Sequence, residues 1–186
     1  MANWVKTHVR MKGKKEDLDK LESMMVHKYG GENYEVEQKF FNSLVPIKEF
    51  AMSDLREWLE ENWGTCTEAE ELWYDRDSPE LLEIAFETAW NTPLQILKAI
   101  TKQFPSVVIG GYYADENLGW NCGVVLSNKD FAEKITIGCG TKPHQRFASM
   151  VWDLNSLGEY GGKLFEKMLG RTFPKELVEV GLGDEK

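Results

Sequence analysis

The sequence predicts an α+β fold, in which an antiparallel sheet carries helices packed on one face and is followed by a C-terminal helical extension. Two patterns near the middle of the chain support this prediction. Residues 82–88 alternate with the period of a half-buried strand. Residues 94–103 place Leu94, Leu97 and Ile100 on one helical face, and a β-branched run follows them. Strand, helix and strand in succession are typical of this fold class.

The ends of the central helix are marked by residues with special backbone properties. Asn91 or Thr92 can cap the free amides of its first turn, and Pro93 suits that turn because no hydrogen-bond donor is lost there. Phe104 and Pro105 end the helix, because proline cannot continue it. The sequence therefore predicts a sharp turn between the strand and the helix.

The N-terminal part of the chain repeats this order of elements. Residues 4–11 alternate as a strand, residues 15–26 form an amphipathic helix, and a second strand is predicted near residues 36–41. Two such strand-helix-strand units that interleave in one antiparallel sheet form a ferredoxin-like fold. We therefore expect the ferredoxin-like arrangement.

Shorter elements complete the predicted fold. Ser53 can cap a helix that runs to Glu61. The remaining predicted elements are strands at 72–75, 119–126 and 131–137, and helices at 144–154 and 162–169. Because the pattern changes beyond residue 138, we expect residues 1–138 to form the ferredoxin-like domain. Residues 139–186 are then a C-terminal helical extension packed on the same domain.

The net charge of −9 is carried unevenly. Carboxylates concentrate in residues 54–61 and 68–87, whereas residues 6–20 are mildly basic. Sequence-independent binding of nucleic acid needs clustered Lys and Arg, so we expect no direct nucleic-acid binding. Two interpretations of the acidity stay open: an ordinary solubilising surface, or a surface built to meet a basic partner.

The chain shows features of a soluble, cytoplasmic protein. Cys66, Cys122 and Cys139 are odd in number and widely spaced, which favours reduced thiols. No apolar run approaches the roughly 20 residues that span a bilayer, and the N-terminus lacks the apolar core of a signal peptide. We therefore expect no membrane association.

Four segments in this order resemble a known family. They read NWV at residues 3–5, FNSLVP at 41–46, ENWGT at 61–65 and FETAWNTP at 86–93. The chain from about residue 3 to residue 127 is thereby similar to the YubB-type ferredoxin-like domain family, uncharacterised proteins of phages and conjugative plasmids. The resemblance implies a ferredoxin-like fold and an origin in a phage or mobile element. It implies no activity.

The chain also departs from the motifs of that family. Cys66 and Thr67 stand where the family usually has Lys-Trp, and Asn91-Thr92 stand where it has Ser-Pro. Beyond about residue 138 the resemblance ends. The acidic residues that follow Thr67 and the C-terminal extension are therefore particular to this chain.

Two tryptophans with neighbouring threonines form the most site-like feature of the sequence. Each follows the end of a predicted helix or strand, so both could converge on a tryptophan-lined mouth that accepts a base, sugar or peptide. Alternatively, both rings close the open end of the sheet, with each indole N–H donating to a backbone carbonyl. The candidate ligand- or partner-binding residues are Trp63, Gly64, Thr65, Thr88, Trp90 and Asn91.

No catalytic or metal-binding pattern emerges from the remaining polar residues. Structural zinc sites bring closely spaced ligand pairs, and among the cysteines only Cys139 has a histidine nearby, His144. Glu83 and Glu87 lie about 13 Å apart along one strand, too far for the roughly 5 to 9.5 Å of paired-carboxylate hydrolysis. A solvated outer sheet face explains both glutamates. We expect neither metal nor cofactor.

The sequence thus favours a non-enzymatic protein of a phage or mobile element that binds and inhibits a host protein through its acidic surface. A host protein with a basic surface is the expected partner. The alternative is a small-molecule or nucleotide-binding protein that uses the mouth around Trp63 and Trp90. A homodimer, paired through sheet edges or C-terminal helices, is a third possibility.

Overall fold

The structure, a computed structural model, describes residues 3–25, 39–48, 54–118, 120–137 and 140–153, apart from the side chain of Asp77. Six strands and five helices lie within these ranges. The strands are β1 (Trp4–Lys12), β2 (Glu70–Ser78), β3 (Leu81–Ala89), β4 (Val108–Asp115), β5 (Cys122–Ser127) and β6 (Ala132–Thr136). The helices are α1 (Lys15–Met25), α2 (Phe40–Leu44), α3 (Leu55–Asn62), α4 (Leu94–Gln103) and α5 (Lys142–Trp152).

The strands form one antiparallel sheet in the order β2-β3-β1-β4-β5-β6. Within it, β1 lies between β3 and β4, so the two units β1-α1-β2 and β3-α4-β4 interleave as in a ferredoxin-like fold. Strands β5 and β6 extend the sheet beyond β4. The predicted α+β, ferredoxin-like architecture is confirmed.

The main core lies between the sheet and helices α1 to α4. Alternate residues of the central strand β1, among them Val5 and Val9, point into it and are fully buried. Thr7 shares this face, where its hydroxyl donates to the Thr92 hydroxyl at 2.9 Å, so a buried polar pair is satisfied inside the core. The buried residues of α1 and α4 that cover the same face are Leu18, Leu21, Met25, Ile96, Leu97 and Ile100.

Helix α5 packs on the opposite face of the sheet. Its residues Phe147, Ala148 and Val151 are fully buried against β4 and β5. The Phe147 ring meets the Tyr112 ring edge to face, with centroids 5.9 Å apart. The Trp152 indole N–H donates to the Asp115 carbonyl at 3.1 Å. Helix α5 thus covers the second face, while α1 to α4 occupy the first.

The expected strand at residues 36–41 is wrong for its three described residues, because Lys39 is the N-cap of helix α2 and Phe40 and Phe41 belong to that helix. A pair of adjacent apolar residues fits either element, and the deciding group lies elsewhere in the sequence. The Glu68 carboxylate accepts backbone N–H bonds from Phe41 at 2.6 Å and Asn42 at 3.1 Å. These are amides that a helix start leaves without partners, so the carboxylate stabilises α2.

Other element boundaries differ in smaller ways. Strand β2 extends well beyond the predicted residues 72–75 and contains register shifts against β3. The predicted cap of α4 by Asn91 or Thr92 is wrong, because the N-cap position is Pro93 and no side chain caps the helix; the Thr92 hydroxyl instead accepts from Thr7. Ser53, Cys139, residues 36–38 and the predicted helix at 162–169 lie outside the described residues.

Candidate interaction surfaces

Trp63, the first tryptophan of the predicted mouth, is part of the core. Its side chain is buried, and its indole N–H donates to the Val45 carbonyl at 2.9 Å. The ring packs edge to face with Phe41 and Trp58, at centroid distances of 5.8 and 6.2 Å. This is the arrangement in which an indole closes one end of a core, and it leaves no ring face for a ligand.

The two residues after Trp63 serve the connection from α3 to β2. Gly64 has φ +82° and lies so near the start of α4 that an added Cβ would stand 3.1 Å from the Leu94 nitrogen. The buried Thr65 hydroxyl donates to the Ala89 carbonyl at 2.8 Å. Both residues therefore anchor the connection to the end of β3.

The three candidates at the end of β3 divide between interior and surface. The buried Thr88 hydroxyl donates to the Asn91 carbonyl at 2.7 Å and closes the turn into α4. Trp90 is 45% exposed and has φ +70°, a backbone conformation that is unfavourable for a residue with a Cβ. The Asn91 side-chain oxygen accepts from Lys134 at 3.3 Å. Of the two mouth tryptophans, only Trp90 offers its ring to solvent.

A group of carboxylates on α3 and the start of β2 forms what we call the acidic surface. Residues 54–71 contain seven carboxylates and a single cation, Arg56, whose guanidinium pairs with Glu60 at 2.9 Å. A group of like charges with so little compensation raises the local negative potential. The exposed members are Asp54, Glu57, Glu60, Glu61, Glu70 and Glu71.

Glu68 lies inside the same segment but belongs to the fold. Besides capping α2, its carboxylate accepts the Ala69 amide at 3.1 Å. Burial raises the pKa of Glu68 above its ordinary value of 4.5, against the lowering effect of the backbone N–H groups. The acidic surface is therefore defined without Glu68.

A groove lies between the turn that joins β4 to β5 and the solvent side of α5. One wall is the turn, which presents the apolar Leu118, and the other is α5, which presents Lys142, Gln145, Arg146 and the apolar Met150. Its remaining lining residues are Glu116, Asn117 and Ser149. We call this the α5 groove. The groove is not visible in the sequence, because its two walls are far apart in the chain and neither contains a recognisable motif.

Exposed aromatic residues stand beside the α5 groove. Trp120 is 67% exposed, and its ring lies over Gly140 at the approach to α5, where an added Cβ would come within 2.8 Å of it. The neighbouring Asn121 side chain donates to the Trp90 carbonyl at 3.0 Å, so Trp90 lies at the same end of the sheet. Two exposed tryptophans and Leu118 thus share one end of the molecule.

Glu83 is buried on the second face of the sheet, which corrects the expectation of a solvated outer face. It lies opposite Arg10 in the strand register and forms an ion pair with it. The His8 Nε2 atom stands 3.5 Å from the second carboxylate oxygen. His8 and the Arg10 guanidinium hold the pKa of Glu83 below its ordinary value of 4.5, although burial acts in the opposite direction.

The sulfur and imidazole groups do not converge in the described part of the chain. Cys122 is buried in β5 beneath α5, whereas Cys66 follows α3. His144 stands near the start of α5 with its Nδ1 atom 2.9 Å from the Thr141 hydroxyl. Within the described residues, no group of three or more His, Cys, Asp and Glu side chains is placed to hold a metal ion.

Comparisons with known proteins agree with this architecture. A family model described as a ferredoxin-like domain in Api92-like protein matches residues 69–147, from the start of β2 into α5. Among solved structures, the chain resembles protein api92 from Yersinia pseudotuberculosis with a TM-score of 0.55 at 7% identity, covering 76% of this chain and 100% of that chain. No curated protein gives a match. The chain therefore contains a ferredoxin-like domain similar to that of Api92-like proteins.

A separate observation concerns membranes. No helix in the described ranges combines the length and the apolar character that crossing a bilayer requires.

Proposed function

We propose that this chain is a non-enzymatic, cytoplasmic protein of a phage or mobile element that binds and inhibits a host protein. Its acidic surface is the binding element, and the partner presents a basic surface. The observation that supports this proposal is that six exposed carboxylates, at or next to α3 and at the start of β2, are accompanied by a single cation, Arg56. Such a patch attracts a basic partner over a distance comparable to the Debye length, about 8 Å at physiological salt.

The structural use of the other polar groups supports a binding role over catalysis. Glu83 is held by Arg10, Cys122 is packed beneath α5, and the threonines of the predicted mouth bond to backbone carbonyls. Groups that are engaged in the fold in this way are not positioned to move protons or attack a substrate.

The proposed origin in a mobile element rests on sequence motifs. The segments at 3–5, 41–46, 61–65 and 86–93 resemble those of the YubB-type family, and the ferredoxin-like match to residues 69–147 is compatible with that resemblance. The alternative of a nucleotide or small molecule held by two tryptophans is less well supported, since the Trp63 ring is buried in the core.

The experiment is an affinity capture from host lysate with the wild-type chain as bait, at low and at high salt. A second bait carries Glu57→Gln and Glu61→Gln, which remove two charges from the acidic surface. We expect a basic protein to be captured at low salt, to dissociate at high salt, and to be depleted about tenfold with the variant bait.

The matched control bait carries Glu16→Gln and Glu80→Gln. Glu16 lies in the first turn of α1 as Glu57 lies in the first turn of α3, and Glu80 is exposed like Glu61, so the net charge changes equally. Capture that is equal for both variant baits would assign the effect to net charge and reject the acidic surface as the binding element. Capture that is indifferent to salt would do the same.

A further inference from the structure

The α5 groove combines apolar side chains on both walls with two cations on α5 in an otherwise acidic protein. Residues 141–152 contain Lys142 and Arg146 and no carboxylate, whereas the whole chain has a net charge of −9. Lys142 and Arg146 are exposed and are spaced i,i+4 on α5, so their side chains lie on one helical face. Neither forms an ion pair within the described residues.

On the opposite wall, the turn between β4 and β5 presents an apolar side chain from a residue with an unfavourable backbone conformation. Leu118 is 39% exposed and has φ +50°, and Trp90 at the same end of the sheet has φ +70°. Non-glycine residues in this region are uncommon and are frequent near binding sites, where the surrounding structure holds them in place. The turn bond from the Leu118 amide to the Asp115 carbonyl, at 3.2 Å, holds this conformation here.

We propose that the α5 groove is a docking site for a short acidic peptide segment of a partner protein. An apolar side chain of the peptide enters between Leu118 and Met150 and packs beside the exposed Trp120 ring. One or two carboxylates of the peptide pair with Lys142 and Arg146. This surface is separate from the acidic surface and recognises the opposite charge.

The two positive charges of the groove favour an acidic peptide over other occupants. A nucleic acid needs a track of many cations, and the groove offers two beside Glu116, whose carboxylate accepts the Trp4 amide at 3.0 Å. A peptide with one or two carboxylates needs no more than two cations. The chain's own residues 154–186 carry six carboxylates and five Lys or Arg, so charge complementarity does not select them.

The experiment uses the full-length chain and a displayed library of random dodecapeptides. We expect the enriched sequences to share an aromatic or aliphatic residue flanked by Asp or Glu. The best synthetic peptide should change the tryptophan fluorescence on titration. Its affinity should fall at least about tenfold for the double variant Lys142→Glu, Arg146→Glu, since two charge-assisted contacts become repulsive.

The matched control is the double variant Lys98→Glu, Lys102→Glu. These two exposed lysines have the same i,i+4 spacing on α4 and carry the same total charge, but lie on the other face of the sheet. The control should change the affinity less than about twofold. Enrichment of basic or uncharged peptides, or equal loss in both variants, would overturn the proposal.

Two further results would replace the peptide by another occupant. Sedimentation that shows a dimer dissociated by Lys142→Glu, Arg146→Glu would assign the groove to a second copy of this chain. Binding of a single-stranded oligonucleotide that is lost in the same variant would assign it to nucleic acid. Either result overturns the proposal as stated. Neither depends on the acidic surface, so the two proposals fail separately.

Discussion

The acidic surface and the α5 groove differ in how the chain builds them. The acidic surface comes from one continuous stretch, residues 54–71, in which α3 leads directly into β2. The α5 groove joins Leu118, on a turn, to Lys142 and Arg146, on a helix that follows two more strands. A surface made of consecutive residues can be seen in the sequence, whereas one assembled by topology appears only in the fold.

The two surfaces also depend differently on packing. The acidic surface follows from the short helix α3, of whose residues only Leu59 is buried. The groove exists only while α5 stays against β4 and β5, through Phe147, Ala148 and Val151. Disrupting one anchor of α5 should therefore remove the groove and spare the acidic surface.

Phe147→Ala should produce the largest effect. The ring is fully buried against Tyr112, so its removal costs about 3–5 kcal/mol through lost burial and the cavity left behind. Urea unfolding measures the loss, and hydrogen exchange should show α5 amides opening before those of α1. Phe131→Ala is the control, because the Phe131 ring is 37% exposed, and should cost less than about 1 kcal/mol. Equal costs would contradict the assigned anchor.

Much of the fold could be predicted from the sequence, because its signals are local. The alternation in β1 and β3 and the apolar stripe of α4 give period and length directly. Helix α2 could not be predicted, since its cap, Glu68, lies 27 residues beyond the Phe41 amide it accepts. Local patterns do not contain such a partner.

The candidate site likewise has features that local sequence patterns show and features that depend on distant contacts. The sequence identifies Trp63 and Trp90 as candidates, but it could not show which ring is buried and which is exposed. Burial of Trp63 depends on the Val45 carbonyl, 18 residues away, and exposure of Trp90 depends on a turn held by Thr88. The acidic residues were visible as composition, and only the fold shows which of them are exposed and which, like Glu68, stabilise a helix.

Glu68 and Glu83 are carboxylates that stabilise the fold and do not belong to the acidic surface. Their contributions to stability should depend on pH in opposite directions. The pKa of Glu83 is lowered, so its contribution to stability is present above its unfolded value of 4.5 and lost as pH falls through the folded value. The pKa of Glu68 is raised, so its contribution is present below 4.5 and lost as pH rises through the folded value.

Urea unfolding of Glu83→Gln and Glu68→Gln at pH values on either side of 4.5 tests these signs. The destabilisation by Glu83→Gln, about 1–3 kcal/mol at neutral pH because the buried carboxylate loses its ion pair with the half-exposed Arg10, should shrink in acid. Relative to wild type, Glu68→Gln should become less stable as the pH falls. Parallel pH profiles for the two variants would contradict the assigned environments.

Trp63→Phe and Trp90→Phe separate the core tryptophan from the surface one. Trp63→Phe removes the donor to the Val45 carbonyl, so we expect a loss of about 1–2 kcal/mol in the free energy of unfolding. Trp90→Phe should change it by less than about 0.5 kcal/mol, because the ring is largely exposed. Chemical denaturation of both variants measures the difference. A larger loss for Trp90→Phe would reverse the assignment and restore Trp63 as a surface candidate.

The smallest effect on stability should come from the acidic surface itself. Glu57→Gln and Glu61→Gln remove two exposed charges from a group in which like charges repel, so the free energy of unfolding should stay within about 0.5 kcal/mol of wild type or rise slightly at low salt. Thermal unfolding at two salt concentrations measures this. A clear loss of stability would mean that these carboxylates support the fold. If stability is unchanged or raised while capture of a basic partner is lost, Glu57 and Glu61 serve binding and not the fold. Phe147 beneath the α5 groove is the opposite case, since its buried ring serves the fold.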